Sequence, residues 1–231
     1  MNTILERLKG KLIVSCQALE DEPLHGSVHM RQMAVAAIQG GAAGIRANSP
    51  ADIRAIKASV NVPVIGIYKK VYRDSDVYLT VTMEDVEEIV AAGADIIAFD
   101  ATNRLRPSGQ SARDFIMQVK ARYPEMLLMA DISTLEEGIE AASCGVDIVS
   151  TTFAGYTPYT AHIQAFSFEL LEGLLQQAGK PIIAEGKIDK PEMAAACIAR
   201  GAFAVVVGSA ITRPQLITQS YARQIDAVSA R

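Results

Sequence analysis

The chain is short of the residues that announce metal, disulfide or membrane chemistry. Its three cysteines, Cys16, Cys144 and Cys197, are an odd number, lie inside apolar segments and have no CxxC spacing. That excludes a disulfide framework and reads as reduced core thiols of a cytoplasmic protein. Its three histidines, His25, His29 and His162, fall in loops or at a helix start, so no metal set is expected. No apolar run approaches membrane-spanning length. A formal net charge of -4 and the lack of a basic stripe argue against nucleic acid as a partner. No Ser/Pro/Gly-rich or highly charged linker interrupts the 231 residues, half of which are hydrophobic, so residues 1–231 read as a single α/β domain with a full core. Met1 to Gly10 mixes charges around Ile4, Leu5 and Leu8, which is no signal peptide and predicts a short helix beneath the domain.

What the sequence has instead is repetition. Apolar runs end in polar or glycine-rich tips at Lys11 to Gln17, Ala43 to Ala47, Val62 to Lys69, Asp95 to Ala101, Leu127 to Ile132, Asp147 to Phe153, Pro181 to Lys187 and Ala204 to Ile211. Their interiors do not alternate, as expected of parallel strands covered on both faces. Helical periodicity fills the gaps, at Val28 to Gln39, Pro50 to Ser59, Met83 to Ala92, Ala112 to Arg122, Leu135 to Ser143, Phe168 to Ala178, Pro191 to Arg200 and Pro214 to Val228. Strict alternation predicts a closed (β/α)8 TIM barrel. A weak repeat at Gly41-Ala42, Gly93-Ala94-Asp95, Gly145-Val146-Asp147 and Gly201-Ala202 recurs every two βα units and supports closure. A doubly wound open sheet is the competing fold, but nothing marks a reversal of strand order.

In a barrel the active site lies at the carboxyl ends of the strands. Those tips carry Ser15 and Gln17, Arg46, Lys69, Asp100, Asp131, Thr151 and Thr152, Glu185, and Gly208 with Ser209. Lys69 and Lys70 are adjacent and point to opposite sides, so at most one faces the mouth. Glu185 and Asp131 end apolar runs, where a carboxylate must be paired, bound to ligand or functional; each could also cap the following helix. Arg46 has two readings, an ion pair with one of these acids or a ligand for an anionic or carbonyl oxygen. Asp100 is expected to fix its loop. Gly208-Ser209 before a helix, with Arg213 close behind and Gly186 after strand seven, suits a phosphate site made from the last two loops. Thr152 and Tyr156, in a polar loop after strand six, could line a sugar pocket. Residues 71–82 exceed the usual length of a βα loop and form a candidate lid.

Together Ser15-Cys16-Gln17, Gly44-Ile45-Arg46-Ala47, Pro63 to Lys69, Gly93 to Asp100, Ala130-Asp131, Gly155-Tyr156-Thr157, Ala184-Glu185-Gly186 and Val207 to Thr212 resemble the N-acetylmannosamine-6-phosphate 2-epimerase family, in order and over nearly the whole chain. The resemblance implies a ribulose-phosphate-binding-like barrel and a cytoplasmic bacterial enzyme of sialic acid breakdown. Such an enzyme interconverts N-acetylmannosamine 6-phosphate and N-acetylglucosamine 6-phosphate without metal, nucleotide or other cofactor. On that pattern Lys69 matches the catalytic lysine and Glu185 its acidic partner. Gln17, Arg46 and Asp131 match polar residues around the sugar, and Gly186, Gly208 and Ser209 match the phosphate loops. Tyr68, Phe99 and Ala101 depart from the usual pattern, which touches pocket shape rather than chemistry.

Inverting C2 of an open-chain amino sugar needs a base, help for the developing enolate oxygen and a route for the proton to the opposite face. Burial and the nearby charge of Arg46 would lower the Lys69 pKa enough for it to be that base. Other readings are a phosphosugar aldolase or decarboxylase using Lys69 as a Schiff base and a non-catalytic phosphometabolite-binding barrel. The apolar stretch Phe166, Phe168, Leu170, Leu171 and Leu174 is either core or the surface of a homodimer.

Overall fold

The computed structural model describes residues 3–229. Eight parallel strands close in sequence order: β1 (Leu12–Cys16), β2 (Gly44–Asn48), β3 (Val64–Ile67), β4 (Ile96–Asp100), β5 (Leu127–Asp131), β6 (Ile148–Ser150), β7 (Ile182–Ala184) and β8 (Ala204–Val207), with β8 pairing back onto β1. Around them run α2 (Ser27–Gln39), α3 (Pro50–Lys57), α4 (Met83–Ala91), α5 (Ala112–Arg122), α6 (Leu135–Ser143), α7 (Phe168–Gln177) and α8 (Pro191–Ala199). At the chain's start α1 (Thr3–Leu8) buries Leu5 and Leu8 under the barrel, as its apolar anchors predict.

Strand parity divides the core. Ile13, Ile65, Ile67, Ile96, Ala98, Leu127, Met129, Ile148, Ile183, Ala204 and Val206 fill the barrel with Leu5 and Leu8. Their neighbours Val14, Ile45, Ile97, Leu128, Val149, Ile182 and Val205 pack outward against helices. Because side chains alternate with period two, the inward parity extends to Gln17, Arg46, Lys69, Asp131, Thr152, Glu185 and Gly208 at the carboxyl ends. Register then sets Ser15 beside Arg46 and Asp131 beside both Asp100 and Ser150.

The strands are shorter than the sequence runs. Lys69, Thr152 and Glu185 lie just past β3, β6 and β7, and the eighth run stops at Val207 instead of reaching Ile211. Gly208 turns the backbone there (φ -111, ψ -96), and Ser209–Thr212 form a short helix, α9. Helices match the periodicity more closely because caps fix their starts. Thr82 with Asp85 and Thr134 with Glu137 form capping boxes. Both carboxylates also hold loops: Asp85 accepts from the Val81 amide and the Tyr72 hydroxyl, and Glu137 from the amides of Ser133 and Asn103.

Three expectations are resolved by packing. Phe166, Leu170, Leu171 and Leu174 are buried in the core between α7 and the barrel, with Phe168 half-buried against it, so the core reading of that stretch holds. The candidate lid is fastened along its return half, where Val77, Leu79 and Val81 are buried and Thr80 donates its amide to the Tyr68 carbonyl. Its outgoing half stands clearer, with Val71, Arg73, Asp74 and Asp76 exposed. The last helix, α10 (Pro214–Ser229), buries no residue, and residues 218–229 are all exposed, so the eighth helix does not cover the barrel as strict alternation predicts. Cys16, Cys144 and Cys197 are buried free thiols; burial pushes the Cys16 and Cys197 thiols up to about 12 and about 11, which keeps those two unreactive.

Candidate active site

A cavity of about 1220 Å³ opens at the carboxyl face. Its walls include Gln17, Arg46, Lys69, Thr152, Tyr156, Glu185, Gly186, Gly208, Ser209 and Arg213. Sequence reasoning named all ten of these before the fold brought them together. Asp131 is fully buried behind Arg46 and does not line the space.

Arg46 is the centre of a buried network. Its guanidinium donates to both Asp131 oxygens, to Glu185 and, at 3.4 Å, to the Thr152 hydroxyl. That hydroxyl lies 2.7 Å from Asp131 Oδ1 and 3.1 Å from Glu185 Oε2, so its one proton serves either acid. The ion-pair reading of Arg46 therefore holds, with two acids rather than one. Burial opposes the guanidinium's charge, but Asp131 and Glu185 outweigh it and hold Arg46 protonated. Burial, reinforced by Asp131, raises the Glu185 pKa above the usual carboxylate range despite Arg46. The Glu185 backbone is fixed independently: Thr151 Oγ1 accepts from its amide (3.0 Å) and donates to its carbonyl (2.8 Å).

The two lysines part as strand parity requires. Lys70 turns outward to Asp85 (2.8 Å) and Glu88 (3.2 Å). Lys69 turns inward, and among the described residues its ammonium makes no hydrogen bond or ion pair. Its amide donates to Asn48 Oδ1 at 2.8 Å, which anchors the base of the side chain to the end of β2. Desolvation first, then the charges of Arg46 and Arg213, lower the Lys69 pKa from 10.5 to about 8, with Glu185 and Glu22 opposing. A lysine tuned to this range is a competent base near neutral pH.

Gln17 donates to Ser15 Oγ at 2.5 Å while its Oε1 is buried without a partner among the described residues; such an orphan acceptor suits a hydroxyl or amide N–H of a ligand. Gly186 has φ 93, and a Cβ there would come within 3.1 Å of the Thr152 carbonyl. Gly208 approaches Ser15 closely enough that a Cβ would touch it at 3.4 Å. Arg213 is held by Glu22 through two contacts, at 2.7 and 2.9 Å, and donates to Ser209 at 3.2 Å. Asp100 fixes its loop as expected, accepting from Thr102 and Arg104. Among the described residues no group of three or more His, Cys, Asp or Glu is set to hold a metal ion, and no helix is long and apolar enough to cross a membrane.

Three residues that line the cavity or brace its walls are not singled out by sequence pattern. Asn48 was legible as a polar residue two places after Arg46, and therefore of the same parity. Lys187 was visible beside Gly186 but had no reason to stand out. Glu22 carried no local signal, because its pairing with Arg213 spans almost the entire chain.

Glycine turns after β7 and β8 beside a charged strand-end cavity define the class: a barrel enzyme that works at its carboxyl face. The family model described as "Putative N-acetylmannosamine-6-phosphate epimerase" matches residues 30–227, and the chain belongs to this family. Relatives named "Putative N-acetylmannosamine-6-phosphate 2-epimerase" are 52% identical in Enterobacter sp. (strain 638), over 99% of this chain and 98% of the relative, and 52% identical in Shouchella clausii, over 96% and 98%. The solved N-acetylmannosamine-6-phosphate 2-epimerase from Clostridium perfringens superposes with a TM-score of 0.92 at 49% identity, covering 96% of each chain. Thiamine phosphate pyrophosphorylase from Pyrococcus furiosus, at 18% identity and a TM-score of 0.60, shares the fold.

Proposed function

We propose that this chain is a cytoplasmic N-acetylmannosamine-6-phosphate 2-epimerase, with residues 1–231 as one catalytic domain, Lys69 as its base and no cofactor. The observation that carries the reading is a half-buried lysine, without an ion-pair partner among the described residues and with its pKa lowered to about 8, in a cavity also lined by the two glycine turns. On the open-chain sugar, neutral Lys69 takes the proton from C2 and the electron pair moves toward the C1 carbonyl oxygen. Return of a proton to the opposite face of C2, with loss of the enolate charge, gives the gluco epimer.

Both terminal nitrogens of Arg46 are engaged by Asp131, Glu185 and Thr152, while its Nε is buried and has no hydrogen-bond partner among the described residues, so its part is mainly electrostatic. It depresses the Lys69 pKa and holds Glu185 in place, with Asp131 as the buried brace. Glu185, whose carboxyl pKa burial raises, exchanges protons at the oxygen atoms of the sugar. Gln17, Thr152 and Tyr156 contact the hydroxyls and the acetamido group. Backbone amides at Gly186, Gly208 and Ser209 receive the phosphate, with Arg213 steadying the second turn, and this anchoring brings C2 to Lys69.

Proton NMR of the enzyme with N-acetylmannosamine 6-phosphate in heavy water tests this directly. The expected result is deuterium at C2 together with the gluco epimer; folded protein that leaves both signals unchanged would defeat the reading. A Schiff-base aldolase would use the same neutral lysine, and borohydride would then trap an adduct on Lys69, where proton transfer gives none.

The reading includes a homodimer, now carried by α10. Tyr221, Ile225 and Val228 are exposed there at helical spacing, and an unpartnered apolar face of this kind marks an interaction surface. The flank it leaves uncovered, next to the β8–β1 seam, is apolar too: α8 buries only Cys197, and α2 only Met30 and Ala34. A second copy supplies the cover for both surfaces. Light scattering on the eluted protein is expected to give a dimer, and Ile225→Asp with Val228→Asp to give a monomer. A monomeric wild type at micromolar concentration would exclude it.

A further inference from the structure

We propose that Lys187 supplies the positive charge that meets the substrate's phosphate, an inference that rests on the phosphosugar reading above. The argument is an accounting of charge. The cations lining the cavity are Arg46, Lys69, Lys70, Lys187, Lys190 and Arg213. Arg46 is neutralised by Asp131 and Glu185, Arg213 by Glu22, and Lys70 by Asp85 and Glu88. Lys69 must be uncharged to act. Lys190 is exposed beside the equally exposed Asp189. Lys187 is half-buried and, among the described residues, has no carboxylate within ion-pair distance.

What holds Lys187 instead is the face of Tyr156, with Nζ 4.2 Å from the ring centroid. A ring face orients a cation without cancelling its charge. Two backbone features serve this placement. Lys187 itself sits at φ 54, in the left-handed region that a residue with a side chain avoids, and such strain persists where the surrounding structure and its use demand it. Gly155, at φ 78, leaves the path clear: a Cβ there would lie 2.6 Å from Lys187 Cε and 2.2 Å from the Ile163 carbonyl oxygen. Its φ and the Ile163 carbonyl require glycine at 155, and the Lys187 side chain, following the Gly186 turn, packs into the space this leaves. An ammonium so held is a point charge suited to a phosphate monoester.

The test compares wild type with Lys187→Gln, Lys187→Gly and Lys187→Arg, using inorganic phosphate as the calorimetric probe and N-acetylmannosamine 6-phosphate for kinetics. The glycine variant removes the charge and relieves the strained backbone, so it separates the two. For Gln and Gly, phosphate affinity is expected to fall and KM to rise about ten- to a hundredfold, the worth of one charge-assisted hydrogen bond, with kcat little changed. Arg is expected to retain most of the affinity. Phosphate affinity within about twofold of wild type in both Gln and Gly would overturn the inference. So would restored affinity in Gly alone, or a wild type that does not bind phosphate. The binding readout needs no turnover, so a wild type that binds phosphate without epimerising would refute the epimerase reading while the Lys187 comparison still stood.

Discussion

Lys69→Met is expected to abolish epimerisation and, at neutral pH, to make the protein more stable. Loss of a positioned general base costs up to about 10⁴-fold in turnover, while phosphosugar binding should change by only a few-fold. The stability gain follows from linkage. The Lys69 pKa is lowered from 10.5 to about 8 in the folded chain by desolvation and by Arg46 and Arg213. Below pH 8 the ammonium is charged in both states and the fold bears the full cost of burying it, on the order of 3 kcal/mol. Between pH 8 and 10.5 the folded chain has lost this proton and the unfolded chain still holds it, so the cost declines, and above 10.5 it is gone. Methionine fills similar space without charge. Urea titrations at pH 7 and pH 10 should therefore show the variant ahead of wild type at the lower pH and the gap narrowing at the higher. In wild type, kcat/KM should climb as pH rises toward 8 and level off beyond it, with the variant inactive throughout. Near-normal activity in Lys69→Met would remove Lys69 from the mechanism.

Arg46→Met should have the largest effect on stability of any single change in the cavity wall. It strands two buried carboxylates that share one guanidinium. Breaking a buried pair by deleting one partner costs roughly 3–5 kcal/mol, because the remaining charge is left uncompensated. For a chain of this size that lowers Tm by roughly 10 °C. Lysine cannot substitute: the guanidinium spans Asp131 through both terminal nitrogens while also reaching Glu185, and an ammonium has no such fork. Arg46→Lys should therefore recover little of the loss. Thermal and urea unfolding of both variants would check this, and an Arg46→Met protein within about 1 kcal/mol of wild type would mean that the network relaxes around the change. Any folded fraction should also need a higher pH for activity, since one charge that depresses the Lys69 pKa is gone.

Much of this molecule is legible in its order of residues. Strand identities follow from short unbroken apolar runs and helix identities from hydrophobic period, and α5 and α6 match the periodic segments residue for residue, because a Ser or Thr cap marks each start. Gln17, Arg46, Lys69, Thr152 and Glu185 could be named because a polar residue closing an apolar run is anomalous wherever the run is buried. Strand ends were less legible. β6 and β7 are three residues each, although their apolar runs continue, because strand length in a barrel is set by where neighbouring strands stop offering hydrogen-bond partners.

The sequence by itself determined the barrel, the face that carries chemistry and the short list of residues there, since all three rest on local period and on chain-order alternation. Tertiary structure alone decided which charges remain available. That Arg46 is spent on Asp131 and Glu185, that Arg213 is spent on Glu22, and that Lys187 is not spent at all depends on side chains far apart in the chain. Tertiary structure also decided that the apolar stretch around Leu171 lies in the core while α10 lies bare. Both segments carry helical amphipathicity, and a periodic pattern states that a face must be covered without stating by what. Coulomb interactions and burial act through space, and only closure of the barrel sets the distances on which they depend.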